Sequence, residues 1–147
     1  MKKNRIYFQI NTIIPQKISK KKFLNWINQT IKKKYQITIR IVDQSEIQKI
    51  NYTYRKKNYP TNILSFSYNH QSYNNNIIGD LVICAKVVYE EALNQKKKLE
   101  NYWAHIVIHG LLHLLGYTHY TNYQTQIMQK KEIEIMKKLG YQNPYSK

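Results

Sequence analysis

Several scarce residue types limit what this chain of 147 residues can be. With a single cysteine it forms no internal disulfide, which fits a reducing compartment and predicts a cytoplasmic protein. No apolar run approaches the ~18 residues of a membrane span, and polar residues interrupt the basic amino-terminal segment, so neither a secretion signal nor a membrane partner is expected. Four glycines and three prolines provide no flexible linker. The length predicts one domain, residues 1–147.

Acidic residues are also few, since eight Asp and Glu stand against 24 Lys and Arg and give a formal net charge of +16. A charge of this size indicates an anionic partner, with nucleic acid the leading class. Lys, Ile, Asn and Tyr have A- and T-rich codons, so codon usage accounts for part of the excess. The lysine runs Lys20–Lys22 and Lys32–Lys34 fit either a solvated helix face or an RNA contact.

Hydrophobic periodicity predicts a single α+β domain, in which one mixed four-stranded sheet packs with about five helices. Strands are expected where apolar and polar residues alternate or β-branched residues cluster: Arg5–Asn11, Gln36–Asp43, Asn62–Tyr68 and Ile77–Ala85. Helices are expected after a Ser19 cap, from Ser45 to about Asn58, over about Lys86–Lys98, from near Asn101 to Gly116, and over about Tyr123–Leu139. A polar turn is predicted at Tyr73–Asn76.

The segment HIVIHGLLHLLGYTH, His105–His119, carries four of the five histidines. From Ala104 to Leu115 the other residues are apolar around the whole helix, which predicts a buried helix. An imidazole buried there without a partner costs about 1–3 kcal/mol, so the histidines must be paired or bound. A metal ion would satisfy several of them at once.

Histidine spacing supports this interpretation. Residues four apart are rotated by only ~40° on a helix, so His105, His109 and His113 form one stripe. The pair His109 and His113 has the i, i+4 spacing of zinc ligands, and a turn at Gly116 can return His119 to the same ion. Three neutral imidazoles with an open fourth position are typical of catalytic zinc. His105 is left open as a residue behind the ligands, a substrate contact or a core residue.

The alternatives are histidines that serve only the core, and a zinc peptidase. A zinc peptidase places Glu directly after its first histidine ligand as general base, whereas this chain has Gly110 at that position. No other carboxylate stands out as a base, and Asp80 is a weak candidate.

Longer motifs resemble a known family. HGLLHLLGYTH resembles the H-G-x-L-H-L-x-G-Y-D-H signature of the YbeY-type endoribonucleases, the bacterial rRNA maturation factors. NYTYRKKNYPTNILSFSY is similar to their N-x-x-Y-R-x-x-x-x-P-T-D-V-L-S-F segment, IIGDLVIC to a G-D-I-x-I strand, and LGYQNPY to their common carboxyl-terminal segment. The resemblance extends from about Asn51 to Tyr145.

This resemblance implies a zinc-dependent, single-strand-specific endoribonuclease acting in 16S rRNA 3′-end maturation and ribosome quality control. The implied partners are single-stranded RNA, the 16S rRNA precursor, and the ribosome or small-subunit proteins. On matched positions, one Zn²⁺ per chain would be held by His109, His113 and His119, and Arg55 would be the functional arginine.

Arg55 is also conspicuous by itself, because the chain has three arginines and 21 lysines. A planar guanidinium can hold two phosphate oxygens at once, which an ammonium cannot. The alternative is an ordinary structural arginine, as expected of Arg5 and Arg40.

Two positions depart from the family pattern. Thr118 replaces the Asp before the last histidine, and Asn62 replaces the Asp of P-T-D. Both changes remove a carboxylate but keep a hydrogen-bonding group. A non-catalytic, zinc-stabilised module that binds rRNA or the ribosome is therefore the alternative function.

Overall fold

The structure, a computed structural model, describes residues 4–14, 18–68 and 76–146. These residues form β1 (Arg5–Ile10), α1 (Lys20–Thr30), β2 (Tyr35–Val42), α2 (Gln44–Arg55), β3 (Ile63–Ser67), β4 (Ile77–Cys84), α3 (Ala85–Asn94), α4 (Leu99–Leu114) and α5 (Asn122–Lys138). The predicted single α+β domain with one mixed four-stranded sheet and five helices is confirmed over this part of the chain. Of the turn predicted at Tyr73–Asn76, all but Asn76 lies outside the described residues.

The sheet has the strand order β1-β2-β4-β3. The pairs β1 with β2 and β2 with β4 are parallel, whereas β3 runs antiparallel to β4 at one edge. The predicted alternation on β2 is confirmed, because Ile37, Ile39 and Ile41 are all buried. The central strands thus anchor the core, and β3 at the edge is free to border a cleft.

The histidine-bearing helix α4 lies in the centre of the packing and contacts α1, α3, α5, β3 and β4. Ten of its 16 residues are buried, which confirms the burial predicted from its apolar character. Gly110 brings α4 directly onto β3. A Cβ added there would lie 2.6 Å from Ile63 Cδ1 and 3.1 Å from Ser65 Oγ. The Ser65 hydroxyl also donates to the Gly110 carbonyl at 3.1 Å.

Helix boundaries follow the predictions except on α2 and at the end of α3, which ends at Asn94 and not at about Lys98. Ser19 caps α1 by accepting from the Lys22 amide at 3.2 Å, as predicted. Ser45 was expected to open α2, and this prediction is wrong, because the Asp43 carboxylate accepts from the Glu46 amide at 2.8 Å and caps the helix. The helix also ends earlier than expected, at Arg55, where the next residue adopts a left-handed conformation.

Both lysine runs, Lys20–Lys22 and Lys32–Lys34, are exposed, and Lys22 forms an ion pair with Glu100.

Across the described ranges, none of the helices combines the length and the apolar character required to cross a membrane.

Candidate metal centre

Three histidines converge where α4 ends. His109 and His113 lie one turn apart on α4, and the predicted turn follows at Gly116, which adopts φ 100°, a conformation that favours glycine. The Tyr117 amide donates back to the Leu112 carbonyl at 3.0 Å, which reverses the chain. His119 is thereby returned to the helix, and one ring nitrogen from each of the three histidines lies within 4.8 Å of the other two. This group could hold a metal ion.

Hydrogen bonds at the Nδ1 atoms orient the rings of His109 and His113, the two histidines of the group that lie on α4. His109 Nδ1 lies 2.8 Å from a carboxylate oxygen of Glu132, and His113 Nδ1 lies 3.0 Å from the Tyr117 carbonyl oxygen. A carboxylate and a carbonyl only accept, so both Nδ1 atoms carry the proton. In its neutral form, each ring then presents a lone pair at Nε2.

The two Nε2 atoms of His109 and His113 are 3.1 Å apart. Two lone pairs at this distance repel each other in neutral rings, and a cation shared between them removes the repulsion. Two imidazole ligands of a tetrahedral zinc ion are separated by about 3.4 Å, from a Zn–N distance of about 2.0–2.1 Å. The spacing of this pair is therefore compatible with two imidazole ligands of one metal ion.

The protonation state of His113 also suits metal binding. The pKa of His113 is lowered to about 4, mainly by burial and also by the neighbouring His109 and His119, while the hydrogen bond to the Tyr117 carbonyl partly opposes these effects. His113 is therefore neutral at pH 7 and needs to lose no proton before it can act as a ligand.

Glu132 is a site residue that the sequence analysis missed. It lies on α5 and is fully buried, with 0% of its surface exposed. One carboxylate oxygen accepts from His109 Nδ1, and the same oxygen lies 3.2 Å from His105 Nε2. The other oxygen accepts from the Tyr145 hydroxyl. Burial raises the pKa of Glu132, but these three hydrogen bonds outweigh it and bring the pKa to about 2, so the carboxylate is ionised.

A signal for Glu132 is present in the sequence. The buried positions of α5 are Met128, Glu132, Ile135 and Met136, which follow the i, i+4, i+7, i+8 pattern of an apolar helix face. A carboxylate on such a face, in a chain with only eight acidic residues, needs a buried partner.

His105 does not belong to the three-histidine group. Its Nε2 contacts Glu132 and lies 3.3 Å from the Tyr145 hydroxyl oxygen, so it supports the carboxylate that orients His109. Its Nδ1 is buried and has no hydrogen-bond partner among the described residues. Its contact with Glu132 places it behind His109, and it also lines the cleft described next, so a role behind the histidine group and a substrate contact both stay predictions.

Arg55 lies in the same cleft as the histidines. The cleft has a volume of about 810 Å³ and is lined by the three histidines, Arg55 and residues of β3. Arg55 is exposed and makes a long hydrogen bond, 3.5 Å, from Nη1 to Asn51 Oδ1. Asn51 is itself buried and donates to the Tyr59 carbonyl at 2.9 Å. The hydrogen-bond partner of Arg55 is therefore held in place by the surrounding structure.

Asn62 and Thr118, the two departures from the family pattern, differ in their position relative to the cleft. Asn62 lines the cleft, but its amide donates to Glu91 Oε1 at 2.9 Å and not to a histidine. Thr118 is half-buried in the turn before His119 and is not among the described residues that line the cleft. Asp80 accepts from the Tyr68 hydroxyl at 2.9 Å and does not line the cleft either, as far as the described residues show.

Fold and site together define a class: small α+β proteins in which three imidazoles from one helix and the following turn could hold a metal ion in an open cleft. The family model described as Endoribonuclease YbeY matches residues 6–140. The chain belongs to this family, whose members are nucleases that act on phosphodiester bonds within RNA.

Individual relatives agree with the family match. A protein named Endoribonuclease YbeY from Buchnera aphidicola subsp. Acyrthosiphon pisum is 49% identical over 139 residues, covering 92% of this chain and 88% of the relative. A protein of the same name from Buchnera aphidicola subsp. Baizongia pistaciae is 50% identical over 129 residues, covering 84% of this chain and 83% of that relative. The solution structure of a Thermotoga maritima protein has a TM-score of 0.53 at 20% identity, covers 95% of this chain and 99% of that one, and supports the fold.

Proposed function

We propose that this chain is a zinc-dependent, single-strand-specific endoribonuclease that acts in 16S rRNA 3′-end maturation and ribosome quality control. The observation that carries the proposal is the joint geometry of the cleft, in which three imidazoles with nitrogens within 4.8 Å of one another lie beside an exposed arginine. Family membership and the net charge of +16 support RNA as the substrate.

His109, His113 and His119 are the proposed zinc ligands. Bound there, zinc would supply Lewis-acid chemistry and lower the pKa of a coordinated water. Glu132 accepts a hydrogen bond from His109 Nδ1. This bond leaves the Nε2 lone pair of His109 free to bind the metal. The Tyr117 carbonyl does the same for His113.

Arg55 is the proposed catalytic residue that contacts the phosphate. Its guanidinium can donate to two phosphoryl oxygens and neutralise the charge that develops on them during cleavage. The hydrogen bond to Asn51 holds it at the end of α2, where it lines the cleft.

The proposed partners are the 16S rRNA precursor and the ribosome or small-subunit proteins, and the proposed location is the cytoplasm. Sequence similarity to the Buchnera relatives over most of the chain supports an rRNA-processing role. The exposed lysine runs offer contacts with RNA phosphates outside the cleft.

Cleavage of a single-stranded RNA by the zinc-loaded protein tests the proposal. We expect Arg55→Ala to remove most cleavage while zinc content and fold are unchanged, and Arg55→Lys to lose well over half of the activity because the ammonium lacks the planar fork. Arg5→Ala is the matched control, since Arg5 is an exposed arginine on β1 outside the cleft.

Elemental analysis tests the ligands independently of activity. His113→Ala should lose the metal, whereas His105→Ala, on the same helix but outside the three-histidine group, should still bind one equivalent. Wild-type protein that binds RNA and zinc but cuts no single-stranded RNA would establish the binding module in place of the enzyme.

A further inference from the structure

The cleft is lined by exposed aromatic rings as well as by the histidines and Arg55. Tyr54, Tyr120 and Tyr145 all face this cleft, and their surfaces are 69%, 86% and 43% exposed. Exposed tyrosines are common in this chain, which has 14 tyrosines in all. The informative feature is therefore not their number but the arrival of three rings, from separate parts of the chain, at one cleft.

Two of the three rings pack closely against another ring, and the third lies near one. Tyr54 packs edge-on against Phe66 with centroids 5.2 Å apart, and Tyr145 packs edge-on against His105 at 5.3 Å. Tyr120 lies against His119 at 6.5 Å. The position of Tyr145 is also fixed by a hydrogen bond that its hydroxyl donates to the buried Glu132 carboxylate. Braced rings lose little side-chain entropy when a planar ligand stacks on them.

We propose that Tyr54, Tyr120 and Tyr145 form a stacking platform for the bases of single-stranded RNA. The inference rests on the proposed function, since it assigns the cleft to RNA, and it adds the residues that recognise the substrate as single-stranded. Aromatic side chains stack on every type of base because each base has a π-face.

The platform explains single-strand preference through the substrate's own structure. In a duplex the bases stack on one another and pair, so their faces are not available to protein rings. In a single strand the bases can turn outward onto the tyrosines while Arg55 contacts the backbone phosphate. Duplex RNA would keep only the phosphate contacts, which the lysines and Arg55 supply without regard to strandedness.

Matched tyrosine pairs allow a sharp test. Tyr54→Leu and Tyr120→Leu remove a platform ring. Tyr52→Leu and Tyr123→Leu remove rings that are 54% and 72% exposed, lie within three residues of the platform positions, and do not line the cleft. Tyr54→Phe and Tyr120→Phe keep the ring and lose only the hydroxyl.

The measurement is fluorescence anisotropy at one fixed salt concentration, with labelled RNA of about ten nucleotides. Three probes are compared: an unstructured single strand, the same strand with abasic residues in place of its nucleotides, and a blunt duplex. The abasic strand keeps the phosphates and removes the bases, so it separates stacking from charge.

We expect each platform Leu variant to bind the single strand about fivefold more weakly or worse, and to bind the abasic strand and the duplex as wild type does. The Phe variants and the two control variants should retain wild-type affinity for the single strand. The proposal is overturned if platform and control Leu variants bind alike, or if the loss is as large on the abasic strand. Ring-dependent binding by a protein that cuts no RNA would support the platform and refute the nuclease.

Discussion

The buried carboxylate Glu132 allows the proposed metal site to be tested through a residue that contacts one of the proposed ligands, His109. In Glu132→Gln the side chain keeps its volume and a carbonyl oxygen that can accept from His109, but it loses the negative charge. A hydrogen bond to an ionised acceptor is roughly twice as strong as one between neutral groups. Since His109 Nδ1 donates to this carboxylate at 2.8 Å, the substitution weakens the bond that fixes the ligand's tautomer. We expect zinc affinity to fall about tenfold, the lower end of the range for groups that support metal ligands.

Glu132→Ala removes the acceptor altogether. Three donors, on His105, His109 and Tyr145, then lose their buried partner. We expect zinc affinity to fall towards a hundredfold and the metal-free protein to lose about 2–4 kcal/mol of its free energy of unfolding.

Zinc affinity is measured by competition with a chromophoric chelator, and stability by urea unfolding of the metal-free protein. Glu134→Gln is the control, because Glu134 lies two residues away on α5 and is exposed, with only lysine partners 3.6–3.8 Å away. If Glu132→Gln and Glu132→Ala both bind zinc as tightly as Glu134→Gln, the carboxylate does not orient His109 and the reasoning is refuted.

Three further predictions concern charge, pH and the thiol. Affinity for single-stranded RNA should fall steeply between low and moderate salt, since lysines release counterions from phosphates; a flat titration would show that the charge makes no contact. The metal-free protein should lose stability as the pH falls from about 6.5 towards 4, because the folded pKa of His113 lies below its unfolded value and the unfolded chain takes up the proton first. Urea unfolding checks this, and His113→Leu should flatten the slope. Burial raises the pKa of the Cys84 thiol, so native protein should resist a thiol reagent at pH 8 and react only after unfolding.

Local patterns made the elements and the three histidines predictable. The strict alternation on β2, the Ser19 cap and the Gly116 turn each depend on a few neighbouring residues, and all three are found in the structure. The convergence of His109, His113 and His119 follows in the same way, from helical spacing and one turn. The Asp43 cap was missed because Asp43 and Ser45 are both good capping residues two positions apart, and the choice between them depends on where β2 ends.

Long-range pairing made the rest unpredictable. Glu132 is 23 residues from His109 and on another helix, and Tyr145 is 40 residues from His105. Spacing along the chain says nothing about such partners. The strand order places β4 between β2 and β3, which again depends on packing across the domain. Arg55 was connected to the histidines only through the family resemblance, whereas the cleft shows the physical proximity.

Gly110 has a consequence for how this protein can change over evolution. A glutamate at this position would complete the zinc-peptidase motif, but its Cβ alone would collide with Ile63 at 2.6 Å. Relieving that collision requires the Ile63 side chain to shift and the Ser65 hydroxyl, 3.1 Å away, to give way, and both residues line the cleft. A single substitution that introduces the glutamate would therefore also rearrange the cleft wall, because the new side chain and the Ile63 side chain compete for the same space. The packing of α4 on the edge strand β3 thus disfavours a change between two chemistries that would use the same pair of helix histidines.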